Sequence, residues 1–163
     1  MSLELLLEEI KKYNPDEIEN VKKAYKLAEK AHANQFRESG EPYIIHPLNV
    51  CYNLVSFHAD GASLCAGLLH DVVEDTDYTL EYIEQEFGKD VAFLVDGVTK
   101  ISNLHYSSKD EATNANIRRL INSLNDDVRI IIIKLCDRLH NMRTLEFKAP
   151  EKRIRSANET LNI

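Results

Sequence analysis

One stretch of the chain, AGLLHDVVEDTD at residues 66–77, sets a histidine and four acids directly against apolar residues. Its polar members are His70, Asp71, Glu74, Asp75 and Asp77. Burying that many uncompensated carboxylates beside leucines and valines costs free energy for each charge. We therefore expect a cation close to this stretch, and imidazole nitrogens with carboxylate oxygens are the donors that bind divalent metals.

Helical spacing sorts these residues into faces, because positions i, i+3, i+4 and i+7 lie on one side of an α-helix. One polar face comprises Asp71, Glu74, Asp75 and Tyr78, with His70 at its edge. A second comprises Asp137, Asn141 and Thr144, with Lys134 before it and His140 at its margin. If the two faces meet across the core, their mixed nitrogen and oxygen donors suit Mn²⁺ or Fe²⁺ better than structural zinc.

The residues alone also allow a simpler interpretation. A run such as EDTD is often a solvated cap in front of a helix. A single histidine such as His32, His58 or His105 is more often a core or surface residue than a ligand. The adjacency of His70 and Asp71, together with a second acidic face, strengthens the case for a metal site, and from the residues alone both interpretations stay open.

Composition limits the fold and the partners. The 163 residues suffice for one domain with its own core, and only five glycines and four prolines favour helices over short strands, so we predict an all-α fold. The net charge of −7 argues against nucleic acid or an anionic membrane as the main partner. Three cysteines without a C-x-x-C pair, and no long apolar run, predict buried thiols in a cytoplasmic protein.

Apolar periodicity and helix-start residues predict the elements that carry these faces. Helices are expected after Ser2, from about residue 16 to 36, from Pro47 with His46 extended before it, and then at 62–76, 79–88 with Thr79 as the cap, 89–102, 106–125, 128–145 and from Pro150. Gly97 should weaken its helix. The run Ile130–Ile133 has strand propensity, but its segment is too long for a strand and is predicted to be a buried helix.

Four separated blocks resemble the hydrolase domain of the RelA/SpoT family, the enzymes that make and destroy the alarmone (p)ppGpp. They are RESGEPYIIHP at 37–47, HDVVEDT at 70–76, GVTK at 97–100 and KLCDRLHNMRTL at 134–145. The resemblance runs from about Tyr25 onward and keeps the order of the blocks. It implies an HD-domain helical bundle of about eight or nine helices over residues 1–163.

The resemblance also implies a metal site. In that family two histidines, an adjacent aspartate and a later aspartate hold one Mn²⁺ ion. The matching residues here are His46, His70, Asp71 and Asp137. Glu74 and Asp75 match the acidic pair beside the metal on which hydrolysis depends, and the block that contains them is intact.

The implied reaction removes the 3′-pyrophosphate from ppGpp or pppGpp, giving GDP or GTP plus pyrophosphate. By resemblance the nucleotide is bound by residues from the loop and the late helix, namely Arg37, Ser39, Tyr43, Asn141 and Thr144. Many relatives carry a basic residue after the arginine, whereas Glu38 stands here and should weaken a phosphate contact.

Two other functions stay open at this point. The chain could be an HD phosphohydrolase that acts on a different nucleotide, or a non-catalytic module that binds the alarmone for regulation. In the long two-activity enzymes a synthetase domain follows the hydrolase domain, and nothing in these 163 residues resembles it. We therefore expect an excised N-terminal domain of a longer chain, with (p)ppGpp as its small-molecule partner.

Overall fold

The computed structural model describes residues 2–102 and 127–161. Within these ranges the chain forms eight α-helices and two short 3-10 helices, Pro15–Glu17 and Leu145–Phe147. The α-helices are α1 Leu3–Lys11, α2 Ile18–Ala31, α3 Ile45–Val55, α4 Gly61–Asp75, α5 Leu80–Phe87, α6 Lys89–Ser102, α7 Val128–Arg143 and α8 Pro150–Leu161. The all-α prediction is confirmed, while the helix predicted at 106–125 lies outside the described residues.

Helix starts follow the side chains that can accept a hydrogen bond from an unpaired backbone N–H. Ser2 caps α1 by accepting from Leu5, and Thr79 caps α5 by accepting from Tyr82. Asp60 and Asp127 do the same for α4 and α7. These caps fix where the two helices with polar faces begin.

Two local predictions were wrong. His46 is helical rather than extended, because α3 begins at Ile45 and Pro47 lies within its first turn. Proline is tolerated there since the first four N–H groups of a helix have no intrahelical acceptor. Gly97 does not interrupt α6; it lets Ile130 of α7 approach so closely that a Cβ at position 97 would meet Ile130 Cγ1 at 2.9 Å.

Helix α4 is the centre of the core. Its apolar residues are buried on several sides, where α2, α3, α6 and α7 pack against it. Leu64, Leu68, Leu69 and Val72 have no exposed surface. The polar end of this helix, residues 70–75, is therefore brought against α3 and α7 by the packing of the apolar end.

One arginine links the beginnings of α4, α6 and α7. Arg129, in the first turn of α7, donates to Asp127, to Asp60 just before α4, and to Asp90 in the first turn of α6.

The three cysteines are free and buried, as predicted. None of the helices in the described ranges has the length and apolar character required to span a bilayer.

Candidate metal centre and catalytic site

Three helices bring the four predicted ligands together. His46 lies in the first turn of α3, His70 and Asp71 near the end of α4, and Asp137 in the middle of α7. His46, His70 and Asp137 each offer a donor atom, and these atoms lie within 4.8 Å of one another. Asp71 is not part of that set of three, but its carboxylate lies 3.1 Å from His70 Nε2 and 3.5 Å from His46 Nε2.

The orientation of His70 fits a metal ligand. Its Nδ1 lies 2.9 Å from the carbonyl oxygen of Gly67, which can only accept, so Nδ1 carries a hydrogen and donates it. In the neutral ring that ligates a metal, Nε2 would present its lone pair toward the cluster, where this buried atom lies 3.1 Å from Asp71 Oδ1 without a hydrogen bond. An unpaired buried acceptor among carboxylates is costly unless a cation or water meets it, so the donors present fit a divalent metal.

The two aspartates of the cluster are held in their charged form. Burial by itself raises the pKa of Asp71, but the nearby rings of His70 and His46 outweigh it and the pKa is lowered. Burial also opposes ionisation of Asp137, whose pKa is nevertheless well below its ordinary value because of the hydrogen bond from His46 and the charge of Lys134. Two carboxylates ready to bind a cation therefore face the two imidazoles.

Both carboxylate oxygens of Asp137 accept hydrogen bonds from other side chains of α7. Lys134, buried one turn earlier on α7, donates from Nζ to Oδ2 at 2.7 Å and to Ser102 Oγ at 2.7 Å. Asn141, one turn later, donates from Nδ2 to Oδ1 at 2.6 Å. The polar face of α7 therefore holds Asp137 in one orientation toward His46, whose Nε2 lies 3.1 Å from Oδ1.

Glu74 and Asp75 lie at the edge of the same cleft, one turn after the ligands of α4. Partial burial, followed by the negative charge of Asp71, raises the pKa of both carboxyl groups above their ordinary values. A carboxylate with a raised pKa is a better proton acceptor near neutral pH. Their placement beside the ligand cluster, with open solvent on the other side, suits a general base.

Tyr43 contacts the acids directly. Its hydroxyl donates to Asp71 Oδ2 at 2.8 Å and lies 3.2 Å from Asp75 Oδ2. The resemblance predicts only a nucleotide contact for Tyr43, whereas its hydroxyl also hydrogen-bonds to the predicted ligand Asp71 and to Asp75 of the acidic pair. Tyr43 also stacks on His32, with ring centroids 4.6 Å apart.

The other residues predicted to bind substrate form one polar group at the cleft wall. Arg37 donates from its guanidinium to Asn141 Oδ1 at 3.0 Å and to Thr144 Oγ1 at 3.1 Å. Ser39 lies in the same loop, where its hydroxyl is 3.1 Å from Glu41 Oε2. Arg37, Asn141 and Thr144 are thus assembled from the loop and from α7, while Ser39 bonds within the loop.

A second cavity of about 250 Å³ adjoins the metal cleft. Arg37 and Tyr43 line both spaces. The aromatic side chains of Phe36 and Phe147 border the second cavity, together with the basic side chains of Lys148, Lys152 and Arg155. There Glu38 forms an ion pair with Lys152, so its negative charge is compensated rather than free to repel a phosphate.

Three residues with contacts in or beside the site have no role predicted from the sequence, namely Lys134, His140 and Lys152. Lys134 and His140 were noted beside the polar face of α7, and their spacing of i−3 and i+3 from Asp137 was a usable signal. Lys152 had no such signal, because 114 positions separate it from Glu38.

The amino-acid sequence is similar to those of known proteins. The HD domain family matches residues 24–163. The chain is 49% identical over 155 residues to the bifunctional (p)ppGpp synthase/hydrolase SpoT of Escherichia coli strain K12, covering 94% of this chain and 22% of that protein. It is 46% identical over 158 residues to a GTP pyrophosphokinase of Myxococcus xanthus, covering 94% of this chain and 21% of that protein.

A solved structure is also similar. It is described as a metazoan ortholog of SpoT that hydrolyzes ppGpp and plays a role in starvation responses. The two chains superpose with a TM-score of 0.69 at 32% identity, over 87% of this chain and 83% of the other. This chain therefore spans most of that solved chain but only about a fifth of the two longer relatives.

Proposed function

We infer the function of this chain from its family, because it belongs to the HD domain family and, within it, to the RelA/SpoT group. We propose that it hydrolyses (p)ppGpp in the cytoplasm, releasing the 3′-pyrophosphate and leaving GDP or GTP. The activity is proposed for the domain seen here, because this chain spans only 22% of the length of the SpoT relative. One of them is named a synthase as well as a hydrolase, so we also propose a synthetase domain as a covalent partner.

One observation carries the proposal. Two buried imidazoles and two carboxylates from α3, α4 and α7 converge beside Glu74 and Asp75, in a chain that covers most of a ppGpp-hydrolysing relative. An HD domain implies a divalent metal, and donor atoms of three predicted ligands, His46, His70 and Asp137, lie within 4.8 Å of one another, which supports one shared ion. We propose Mn²⁺ as that metal, held by His46, His70, Asp71 and Asp137.

The chain's own residues can supply the rest of the reaction. A bound divalent cation would act as a Lewis acid that lowers the pKa of water and offsets charge on the phosphoryl group. Glu74 or Asp75 would accept a proton from the attacking water, which their raised pKa favours. Water adds its oxygen to phosphorus, the bond from phosphorus to the ribose 3′ oxygen breaks, and a proton passes to that oxygen.

Arg37, Asn141 and Thr144 would position the nucleotide across the cleft wall. Arg37 lies between the metal cleft and the second cavity, so its guanidinium can contact a group placed in either space. The guanidinium presents a planar fork of donors suited to phosphate. Ser39 and Tyr43 would border the nucleotide on the loop side.

The decisive experiment is incubation of the chain with ppGpp and Mn²⁺, with release of pyrophosphate measured and EDTA as the metal control. Glu74→Gln and Asp75→Asn should lower turnover by orders of magnitude while keeping the fold and bound Mn²⁺. Asp77→Asn is the matched control, because Asp77 is an exposed acid of the same stretch that does not line the cleft. Asp71→Ala should lose the metal, as elemental analysis would detect.

Three outcomes separate the candidate functions. Release of pyrophosphate from ppGpp that EDTA abolishes supports the proposal. Turnover of other nucleotides but not ppGpp would favour a different HD phosphohydrolase. Binding of ppGpp without turnover, unchanged by Glu74→Gln and Asp75→Asn, would favour a non-catalytic regulatory module.

A further inference from the structure

His46 has a buried partner that none of the predicted roles includes. Its Nε2 faces the carboxylates of the cluster, and its other nitrogen, Nδ1, lies 2.8 Å from Nδ1 of His140. Both side chains are buried, with 2% of His46 and 8% of His140 exposed. The two residues are 94 positions apart in the sequence, so only the packing of α3 on α7 brings them together.

A single hydrogen must lie between these two nitrogens. At 2.8 Å one Nδ1 donates and the other accepts, and in a pair of neutral rings each ring carries one hydrogen. Either His46 donates to His140, which leaves His46 Nε2 as a lone pair, or His140 donates to His46, which puts the hydrogen on His46 Nε2.

We propose that His140 is a positioning residue of the metal centre, whose Nδ1 accepts the Nδ1–H of His46 and so directs the His46 Nε2 lone pair at the divalent cation. The inference rests on the metal site proposed above. It assigns His140 no contact with substrate. Ligating histidines commonly donate their second nitrogen to a nearby acceptor, and loss of that partner weakens metal affinity.

The two ligating histidines are held in different ways. His70 donates to the carbonyl of Gly67, an acceptor only, so its ligating tautomer is fixed. His140 can either accept or donate, so His46 keeps a hydrogen bond at Nδ1 in both of its tautomers. Without a cation, His46 Nε2–H can donate to Asp137 Oδ1, 3.1 Å away, while His140 donates to His46.

Conversion between these two states balances. One hydrogen moves from His140 Nδ1 to His46 Nδ1, His46 Nε2 gives one hydrogen to water, and His140 Nε2 takes one from water. Each ring carries one hydrogen before and after. The pair therefore lets the site gain or lose a cation without leaving a buried polar nitrogen of His46 unpaired, which would cost free energy.

The test measures binding of Mn²⁺ alone by titration calorimetry, without nucleotide. His140→Phe keeps an aromatic ring but removes the acceptor, and should weaken the Mn²⁺ affinity by about 10- to 100-fold. His140→Asn, which retains an acceptor and a donor, should weaken it less. Ile130→Val, a buried change on the same helix seven positions before Asp137, should leave the affinity unchanged and so controls for lost stability.

A second measurement does not depend on a variant folding. In the wild-type chain loaded with diamagnetic Zn²⁺, nitrogen NMR should show the hydrogen of His46 on Nδ1. A hydrogen absent from that atom, or His140→Phe binding Mn²⁺ as tightly as wild type, overturns the role of His140. If His46→Ala also binds Mn²⁺ with wild-type affinity, the metal site itself is refuted, which is a different result from failure at His140 alone.

Discussion

Removing Lys134 tests how the buried charges of the cluster are compensated. Lys134 and Asp137 form an ion pair at 2.7 Å whose side chains are each only 6% exposed. Lys134→Met keeps most of the side-chain volume but leaves the carboxylate without its cation. Breaking a buried pair from one side costs roughly 3–5 kcal/mol. We expect the free energy of unfolding to fall by about 3 kcal/mol, near the lower end of this range. Asn141 still donates a hydrogen bond to the other oxygen of Asp137, Oδ1, and His46 Nε2 still lies 3.1 Å from it.

The assay is denaturant unfolding with EDTA present, compared with the same measurement in saturating Mn²⁺. Lys100→Met is the matched control, since Lys100 forms a lysine–aspartate pair with Asp96 on α6 but is 73% exposed. An exposed pair of this kind contributes at most about 1 kcal/mol. Mn²⁺ should narrow the difference between Lys134→Met and wild type, because a bound cation compensates Asp137 in place of the lysine.

Two results would refute this reasoning. If Lys134→Met loses no more stability than Lys100→Met, the buried pair does not compensate Asp137 as argued. If the variant is strongly destabilised but Mn²⁺ leaves its deficit against wild type unchanged, the cation does not interact with Asp137.

Two other predictions concern the scaffold. Gly97→Ala forces Ile130 to move, which costs about 1–3 kcal/mol of stability through overpacking and is offset by about 1 kcal/mol gained in helix propensity. Ile130→Val removes the clashing Cδ1, so denaturant unfolding of the double variant should show that part of this loss is relieved. Strictly additive effects of the two changes on the free energy of unfolding would contradict the close approach. Arg129→Leu should destabilise the chain most at neutral pH, because Arg129 helps hold the pKa values of Asp127 and Asp60 below their ordinary 3.8. A carboxylate with a lowered pKa contributes stability that is fully present above its ordinary pKa of 3.8 and is lost as the pH falls through its lower folded value. The difference in stability between wild type and Arg129→Leu should therefore stay constant from neutral pH down to near 3.8 and shrink below it, and a difference independent of pH throughout would refute the assignment.

The sequence by itself determined the helices and the residues on each polar face. Ser2 and Thr79 marked helix starts, and the periodicity of α4 and α7 placed Asp71 with Glu74 and Asp137 with Asn141. These features depend on residues within about four positions of one another, so a repeat of 3.6 residues per turn is enough to derive them. The all-α class followed from the same local information and from the shortage of glycine and proline.

Only the tertiary structure decided which faces meet and what each polar atom contacts. Helical periodicity tells which residues share a side of a helix, but not which neighbour that side packs against or at what angle. The pairing of His46 with His140 and that of Tyr43 with Asp71 both depend on how α4 and α7 pack against α3 and its preceding loop. The same holds for Arg37 and Thr144, because hydrogen bonds require atoms within about 3 Å, and that precision is set by the packed core rather than by sequence spacing.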